Sequence, residues 1–208
     1  MQPIDTIEGI AAPLHRENID TDSIIPSREI TSPSREGFGP KLFAPWRYTG
    51  PGGEENPDFV LNRAPWRQAP ILIAGANFGC GSSREMAVWA LLQHGIRCVI
   101  APSFGAIFRS NCVRNALLPV ELPAAVVAQL AAEAEAGALQ LVVDLPAGNV
   151  RLPDGSTHAF TLEQQDREML MTGLDAIART LQRVAEIDAF EAADRILRPW
   201  MWSSADRR

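Results

Sequence analysis

The stretch Ile71–Gly95, ILIAGANFGCGSSREMAVWALLQHG, decides the fold. Ile71–Ala74 is an unbroken apolar run of the length expected for a short buried strand. Gly75 to Ser83 is a glycine-rich turn. Arg84–His94 has helical spacing and stops at Gly95, a residue that tolerates the left-handed backbone beyond a helix end. The same alternation continues downstream. Ile96–Ile100 reads as a strand, Phe104–Asn115 as a helix and Leu117–Leu122 as a strand. Pro123 suits the first turn of a helix that runs through Glu135 and ends at Gly137. Strands that alternate with helices predict an α/β layer with partly parallel strands.

Further along, Leu139–Leu145, Val150–Leu152 and His158–Phe160 read as strands, with Asp154-Gly155 as a hairpin turn. Helices are expected at Leu162–Met171, capped by Thr161 with Gln164 three residues on, and at Leu174–Leu181. A last amphipathic helix covers Ala185–Leu197, and the tail WSSADRR from Trp202 is expected to fray. Upstream, Pro26 to Pro70 is crowded with proline, glycine and aromatics and reads as long loops, with a turn at Gly50–Gly53. Loops this long in a compact domain usually serve a function. Phe38, Phe43, Trp46, Tyr48 and Phe59 offer apolar area to bury, which argues against a disordered linker. The sum is one α/β domain over residues 1–208 with a mixed sheet, a long functional loop at about 27–60 and C-terminal helices at about 161–200.

Composition narrows the function. The chain has 208 residues, 46 % hydrophobic and 21 % charged, an ordinary globular balance. Nineteen Lys+Arg against 25 Asp+Glu leave a net charge of −6, which disfavours a nucleic-acid partner held by bulk charge. Lys41 is the sole lysine, so nearly every cation is a guanidinium, a group suited to carboxylates. No apolar run is long enough to span a membrane, and the N-terminus lacks a signal-peptide pattern. Cys80, Cys98 and Cys112 are odd in number and widely spaced, which suits a reducing cytoplasm and no disulfide framework. With no CxxC or CxxxC pair, no thiolate metal site is expected on this chain.

Three clusters are candidates for chemistry. In Asn77–Glu85, Gly79 and Gly81 let the backbone approach a ligand, and Ser82, Ser83 and Arg84 lie at the expected helix N-terminus. Hydroxyls, free N–H groups and a guanidinium there make an anion pocket in which one serine could also take a proton from carbon. An ordinary serine N-cap is the plain alternative. The lysine of a P-loop and the third glycine of a dinucleotide loop are missing, and no histidine is positioned to pair with a serine. In Asn18–Pro26, Asp20 and Asp22 could orient an arginine or hold a cation, or simply form an Asx turn. In Ser34–Gly39, Arg35 before a glycine-flanked Phe38 could close over a carboxylate, or be a surface arginine. Arg28 with Glu29 reads as a solvated pair. Arg109 and Arg114 read as facing solvent.

Taken together, NIDTDSIIP (18–26), REGF (35–38), NFGCGSSRE (77–85), VIAPSFGAIF (99–108) and LLPV (117–120) resemble the small-subunit family of 3-isopropylmalate dehydratase. That family corresponds to the swivelling C-terminal domain of aconitase. The resemblance runs from NPDFVLN (56–62) to MTGL (171–174) as well. It implies a three-layer β/β/α swivelling domain with a barrel-like mixed sheet. It implies a hydro-lyase that interconverts 2-isopropylmalate and 3-isopropylmalate by dehydration and rehydration in leucine biosynthesis. It places a [4Fe-4S] cluster on a separate large subunit, so this chain would bind no cofactor and act only with that partner.

Residue by residue, the resemblance makes Ser82 the catalytic base and Asp22 its supporting aspartate. Ser83, Arg84 and Arg35 become ligands of a small dicarboxylate substrate. Two positions depart from the common bacterial pattern. Met86 stands where histidine is usual, and Ser27-Arg28 stands where Lys-Gln often follows the IIP segment. A subunit acting on citramalate, dimethylmalate or homoaconitate, or a non-catalytic dicarboxylate-binding module, is separated from the leading reading by a substrate panel and by dicarboxylate titration.

Overall fold

The sheet is arranged around a strand that the sequence pattern conceals. In the computed structural model, which describes residues 2–30, 34–49 and 53–202, strand β1 spans Thr6–Leu14. It holds Gly9 and Pro13, both poor strand residues, so it does not read as one. The chain continues through short helices α1 (Thr21–Ile24) and α2 (Ala44–Arg47) and a small hairpin, β2 (Tyr48–Thr49) and β3 (Glu54–Glu55). Then come β4 (Ile71–Ala74), α3 (Glu85–His94), β5 (Cys98–Ala101), α4 (Ala106–Arg114), β6 (Leu118–Glu121) and α5 (Ala124–Ala136). The last elements are β7 (Gln140–Asp144), β8 (Asn149–Arg151), β9 (Thr157–Ala159), α6 (Gln164–Thr172), α7 (Ala176–Leu181) and α8 (Val184–Leu197).

The main sheet has seven strands in the order β6-β5-β4-β1-β7-β8-β9. β1 changes partner along its length. Thr6–Ile10 pair antiparallel with β7, and Ala11–Leu14 pair parallel with β4. The ring of Pro70 fills the space beside Gly9, where a Cβ would come within 2.4 Å of it. One half of the sheet, β1 with β4, β5 and β6, is therefore parallel, and the other half is an antiparallel meander. This is the mixed α/β sheet that the sequence predicts.

The parallel part of the sheet, Ala11–Leu14 of β1 with β4, β5 and β6, is buried except for Glu121 at the end of β6, because both faces are covered, as is usual for parallel sheets. Leu72, Ala74, Val99 and Ala101 face one core, shared with Ala87 and Leu91 of α3 and with Ile24, Phe43 and Phe59 from the long N-terminal connection. Ile71, Ile73, Cys98 and Ile100 face the other, shared with Val127 and Leu130 of α5 and with Leu141 and Val150. The aromatics of the connection thus do what their composition suggests: Phe38, Phe43 and Phe59 are buried, and Phe43 stacks on Trp46 with ring centres 5.6 Å apart.

The described residues fall into two compact units that divide after Gly173. The Gly50–Gly53 turn and the tail after Trp202 lie largely outside the described residues. The expected Asp154-Gly155 hairpin is present, with the Asp154 carboxylate accepting from Ser156 N–H at 2.8 Å. The expected Thr161 cap is not: α6 starts two residues later with Glu163 at the cap position and no side-chain cap bond.

Beneath the N-terminal connection sits a buried polar group. Arg47, 6 % exposed, donates to Asn62 Oδ1 at 3.0 Å, and its Nη1 lies 3.4 Å from His94 Nδ1. A guanidinium only donates, so Nδ1 accepts and the imidazole proton sits on Nε2, which is buried and has no hydrogen-bond partner among the described residues. Burial, followed by the nearby charges of Arg47 and Arg67, lowers the His94 pKa to about 4. The unfolded chain therefore binds this proton first. Stability should be unaffected above pH ~6.5 and fall between there and about 4. His94→Gln should show a shallower loss of melting temperature over that window than the wild type. Identical profiles would contradict the assignment.

Candidate functional site

The carboxyl ends of β1, β4 and β5 open at one edge of the parallel half, the place where such sheets commonly bind ligands. The connections that leave them are laced together beyond the strands. Gly75 N–H donates to Arg16 O (3.0 Å), Asn18 N–H to Ala76 O (2.9 Å), Gly79 N–H to Ile19 O (2.7 Å) and Thr21 N–H to Cys80 O (3.0 Å). On the other side, Phe78 N–H donates to Ser103 O (3.0 Å) and Gly105 N–H to Phe78 O (2.9 Å). The turn after β4 is thus clamped between segments 16–21 and 103–105.

Close packing makes glycine obligatory in this turn. Gly79 has φ +73°, and a Cβ there would meet the Phe108 ring at 2.1 Å. Asn77 also takes positive φ, 58°, and its side-chain amide donates to Asn18 Oδ1 at 2.8 Å. Gly79→Ala should destabilise the fold by on the order of 3 kcal/mol, from left-handed strain plus overpacking. Chemical denaturation measures this; a loss below about 1 kcal/mol would show that the turn is looser than described.

The two predicted clusters meet here. Thr21, 1 % exposed, donates its hydroxyl to the carbonyl of Ser82 at 2.9 Å. Asp22 forms an ion pair with Arg84 Nη1, which also donates to Ile25 O at 3.3 Å. The Arg84 side chain is 17 % exposed and that of Asp22 is 52 % exposed, so the pair stands at the edge of solvent. Ser82 and Ser83 are exposed. Neither caps α3, because the helix starts at Glu85 and Arg84 occupies the cap position. The simple N-cap reading is therefore corrected: the serines stand on the turn just before the helix.

Asp20 has the plain role. Its carboxylate caps α1 by accepting from Ser23 N–H at 2.7 Å. Asp20 and Asp22 also line a cavity of about 320 Å³ with Ser23, Pro26, Ser27, Arg28 and Pro45. Arg28 is paired with Glu29 in solvent, as expected. Arg109 is not merely solvated: its Nη1 bonds Asp166 at 3.0 Å, and Nε lies 3.5 Å from Glu121. Arg114 is exposed. Met86 packs against the core beside α3.

Arg35 is held at another point of α3. Its guanidinium lies 5.1 Å from the Trp89 ring centre, and its carbonyl accepts from Gln93 Nε2 at 2.5 Å. Sequence reasoning missed Thr21, Trp89 and Gln93, which contact the candidate residues without resembling catalytic groups themselves.

The guanidinium of Arg84 beside Asp22 holds that carboxyl below the usual carboxylate range, and Ser27 N–H helps. The pair is thus complete at neutral pH and is lost only as the pH falls through the lowered value. A carbon-detected NMR titration should find Asp22 ionising below pH ~3.9, moving upward in Arg84→Gln. An unshifted midpoint in the wild type would contradict the pair. Burial pushes the Cys98 and Cys112 thiols up, away from the thiolate form that metals require. Among the described residues, no three His, Cys, Asp or Glu side chains are grouped to hold a metal, so they do not fit an iron–sulfur cluster.

The fold is a mixed α/β domain that gathers two hydroxyls, an arginine and an aspartate at the carboxyl ends of its parallel strands. The model of the aconitase C-terminal domain family matches residues 1–125. A 3-isopropylmalate dehydratase small subunit of Cupriavidus necator is 54 % identical over 205 residues, covering 97 % of this chain and 98 % of that protein. One from Rhodospirillum centenum is 50 % identical over 201 residues, covering 96 % and 98 %. In fold, the chain is similar to a 3-isopropylmalate dehydratase from Methanocaldococcus jannaschii, with TM-score 0.65, 23 % identity and coverage of 88 % of this chain and 99 % of that one. The chain belongs to the aconitase C-terminal domain family and, within it, to the 3-isopropylmalate dehydratase small subunits.

Proposed function

We propose that this chain supplies the proton-transfer and carboxylate-binding half of a 3-isopropylmalate dehydratase, with a large subunit supplying the rest. The reaction is the reversible loss and return of water that exchanges 2-isopropylmalate for 3-isopropylmalate in leucine biosynthesis, in the cytoplasm. The observation that carries the reading is the junction of Asp22 with Arg84 and of Thr21 with Ser82, beside two exposed serine hydroxyls.

In this reading Ser82 Oγ, as a transient alkoxide held by the surrounding positive groups, removes the proton from the carbon next to a substrate carboxylate and becomes the hydroxyl. Such a proton is very weakly acidic, so the developing negative charge must be met by fixed positive groups. Arg84 meets it with a planar fork suited to a carboxylate, and Ser83 adds a hydroxyl donor. Asp22 fixes the Arg84 fork. Arg35, on the N-terminal loop, binds the second carboxylate. Lewis-acid chemistry at the departing hydroxyl is assigned to a [4Fe-4S] cluster on the large subunit.

The test is to mix the purified chain with a reconstituted large subunit and follow isomerisation. Neither subunit alone should turn over. Ser82→Ala should lose roughly 10²–10⁴-fold in kcat, as expected for removal of a general base. Arg84→Lys should be strongly impaired, since the bidentate fork is lost. Turnover by this chain alone, or wild-type kcat in the Ser82→Ala complex, would sink the assignment.

A further inference from the structure

Helix α3 carries a second set of contacts that the proton-transfer chemistry does not use. Gln93 reaches the 35–39 loop three times. Its Oε1 accepts from Phe38 N–H at 2.8 Å and from Gly39 N–H at 3.3 Å, and its Nε2 donates to the Arg35 carbonyl. One turn earlier, Trp89 presents its ring to the Arg35 guanidinium at 5.1 Å and packs against the Phe38 ring at 5.9 Å. Trp89 is itself fixed. Its Nε1–H donates to Asn115 Oδ1 at 2.9 Å, and Asn115 Nδ2 donates to Glu85 Oε1 at 2.8 Å. Glu85 is the first residue of α3 and follows Arg84. One rigid helix therefore carries Arg84 at its start and, about 7.5 Å further along its axis, the platform under Arg35.

We propose that Trp89 and Gln93 are positioning residues that set substrate affinity by holding Arg35 at a fixed offset from Arg84. This rests on the reading of Arg35 as a substrate ligand. A freely rotating arginine would lose side-chain entropy on each binding event. Stacking on Trp89 removes part of that cost beforehand while leaving the N–H edge of the guanidinium free for a carboxylate. The two residues lie at i and i+4 on one helix face, so they act on the loop as a unit.

The test uses the reconstituted two-subunit enzyme. Trp89→Leu should raise KM for the dicarboxylate about fivefold and leave kcat within about twofold, the pattern expected when uniform binding is lost. Trp89→Phe, which keeps an aromatic face, should recover most of this. Gln93→Glu keeps the acceptor for Phe38 and Gly39 but places a carboxylate against the Arg35 carbonyl; it should raise KM as Gln93→Ala does. Arg35→Ala should raise KM about tenfold or more, and adding Trp89→Leu to it should change KM by less than about twofold.

Additive effects in that double variant, or a kcat loss without a KM change, would overturn the proposal. So would an Arg35→Ala enzyme with unchanged KM, which leaves Ser82 and Arg84 untouched as the proton-transfer site. If the wild-type complex shows no turnover, the functional reading fails instead. The stacking is then still read in the isolated chain: the Arg35 side-chain NMR signals should be shifted upfield by the Trp89 ring current and should return to ordinary values in Trp89→Leu. Unshifted signals in the wild type would refute the platform.

Discussion

The geometry of the site rests on the backbone ladder that joins segment 16–21 to the turn after β4. A loop of glycines and serines has little stiffness of its own, since glycine loses more freedom on ordering than any other residue. Here the turn is anchored on both flanks, by hydrogen bonds from Gly79 to Ile19, from Thr21 to Cys80 and from Phe78 to Ser103. It behaves as an extension of the sheet beyond its strand ends. The glycine of least freedom, Gly79, is pressed against Phe108, which locks the turn onto the core. The exposed hydroxyls of Ser82 and Ser83 and the guanidinium of Arg84 then project from a fixed backbone, as preorganised electrostatics requires.

The same ladder separates a partly exposed surface from a buried support. Asp22 and Arg84 face each other where solvent can still reach them; in the proposed function a substrate carboxylate shares the arginine. Thr21, directly behind, is fully enclosed and bonds the Ser82 carbonyl. An exposed ion pair alone contributes little to stability. Its value here is orientation, since it chooses the direction in which the guanidinium fork points. Helix α3 extends this order to the N-terminal loop through Trp89 and Gln93, so residues far apart in the chain are referred to one rigid element.

Much of this architecture is readable in the residues. The apolar runs of β4 and β5, the glycine after α3 and the Asp-Gly hairpin each have a local physical signature, and these elements, with β6 (LPVE), lie within a residue or two of their expected places. β1 does not, because a strand that switches from an antiparallel to a parallel partner carries Gly9 and Pro13 and loses its alternation. The cap of α6 also differs from expectation, while α3 starts at Glu85, one residue after its expected start. Serine and threonine near a helix start suggest a cap, but tertiary bonds at Ser82 and the local backbone at Glu163 set the boundary instead. At the site, Ser82, Ser83 and Arg84 stand out by residue type and spacing, whereas Asp22 and Arg35 are singled out only by the family resemblance. Thr21 was invisible because a buried hydroxyl between two aspartates has no pattern of its own. Trp89 and Gln93 were hidden because an aromatic and an amide on a helix look like packing.

The account depends on a fixed Ser82 backbone, so the most direct measurement removes only the bond behind it. Thr21→Val is nearly isosteric and deletes the hydroxyl that binds the Ser82 carbonyl, while Thr21→Ser keeps it. In the reconstituted two-subunit enzyme, Thr21→Val should remain folded at assay temperature and lose roughly tenfold or more in kcat, with Thr21→Ser restoring most of it. A folded Thr21→Val enzyme with wild-type kcat would contradict the claim that this junction builds the site.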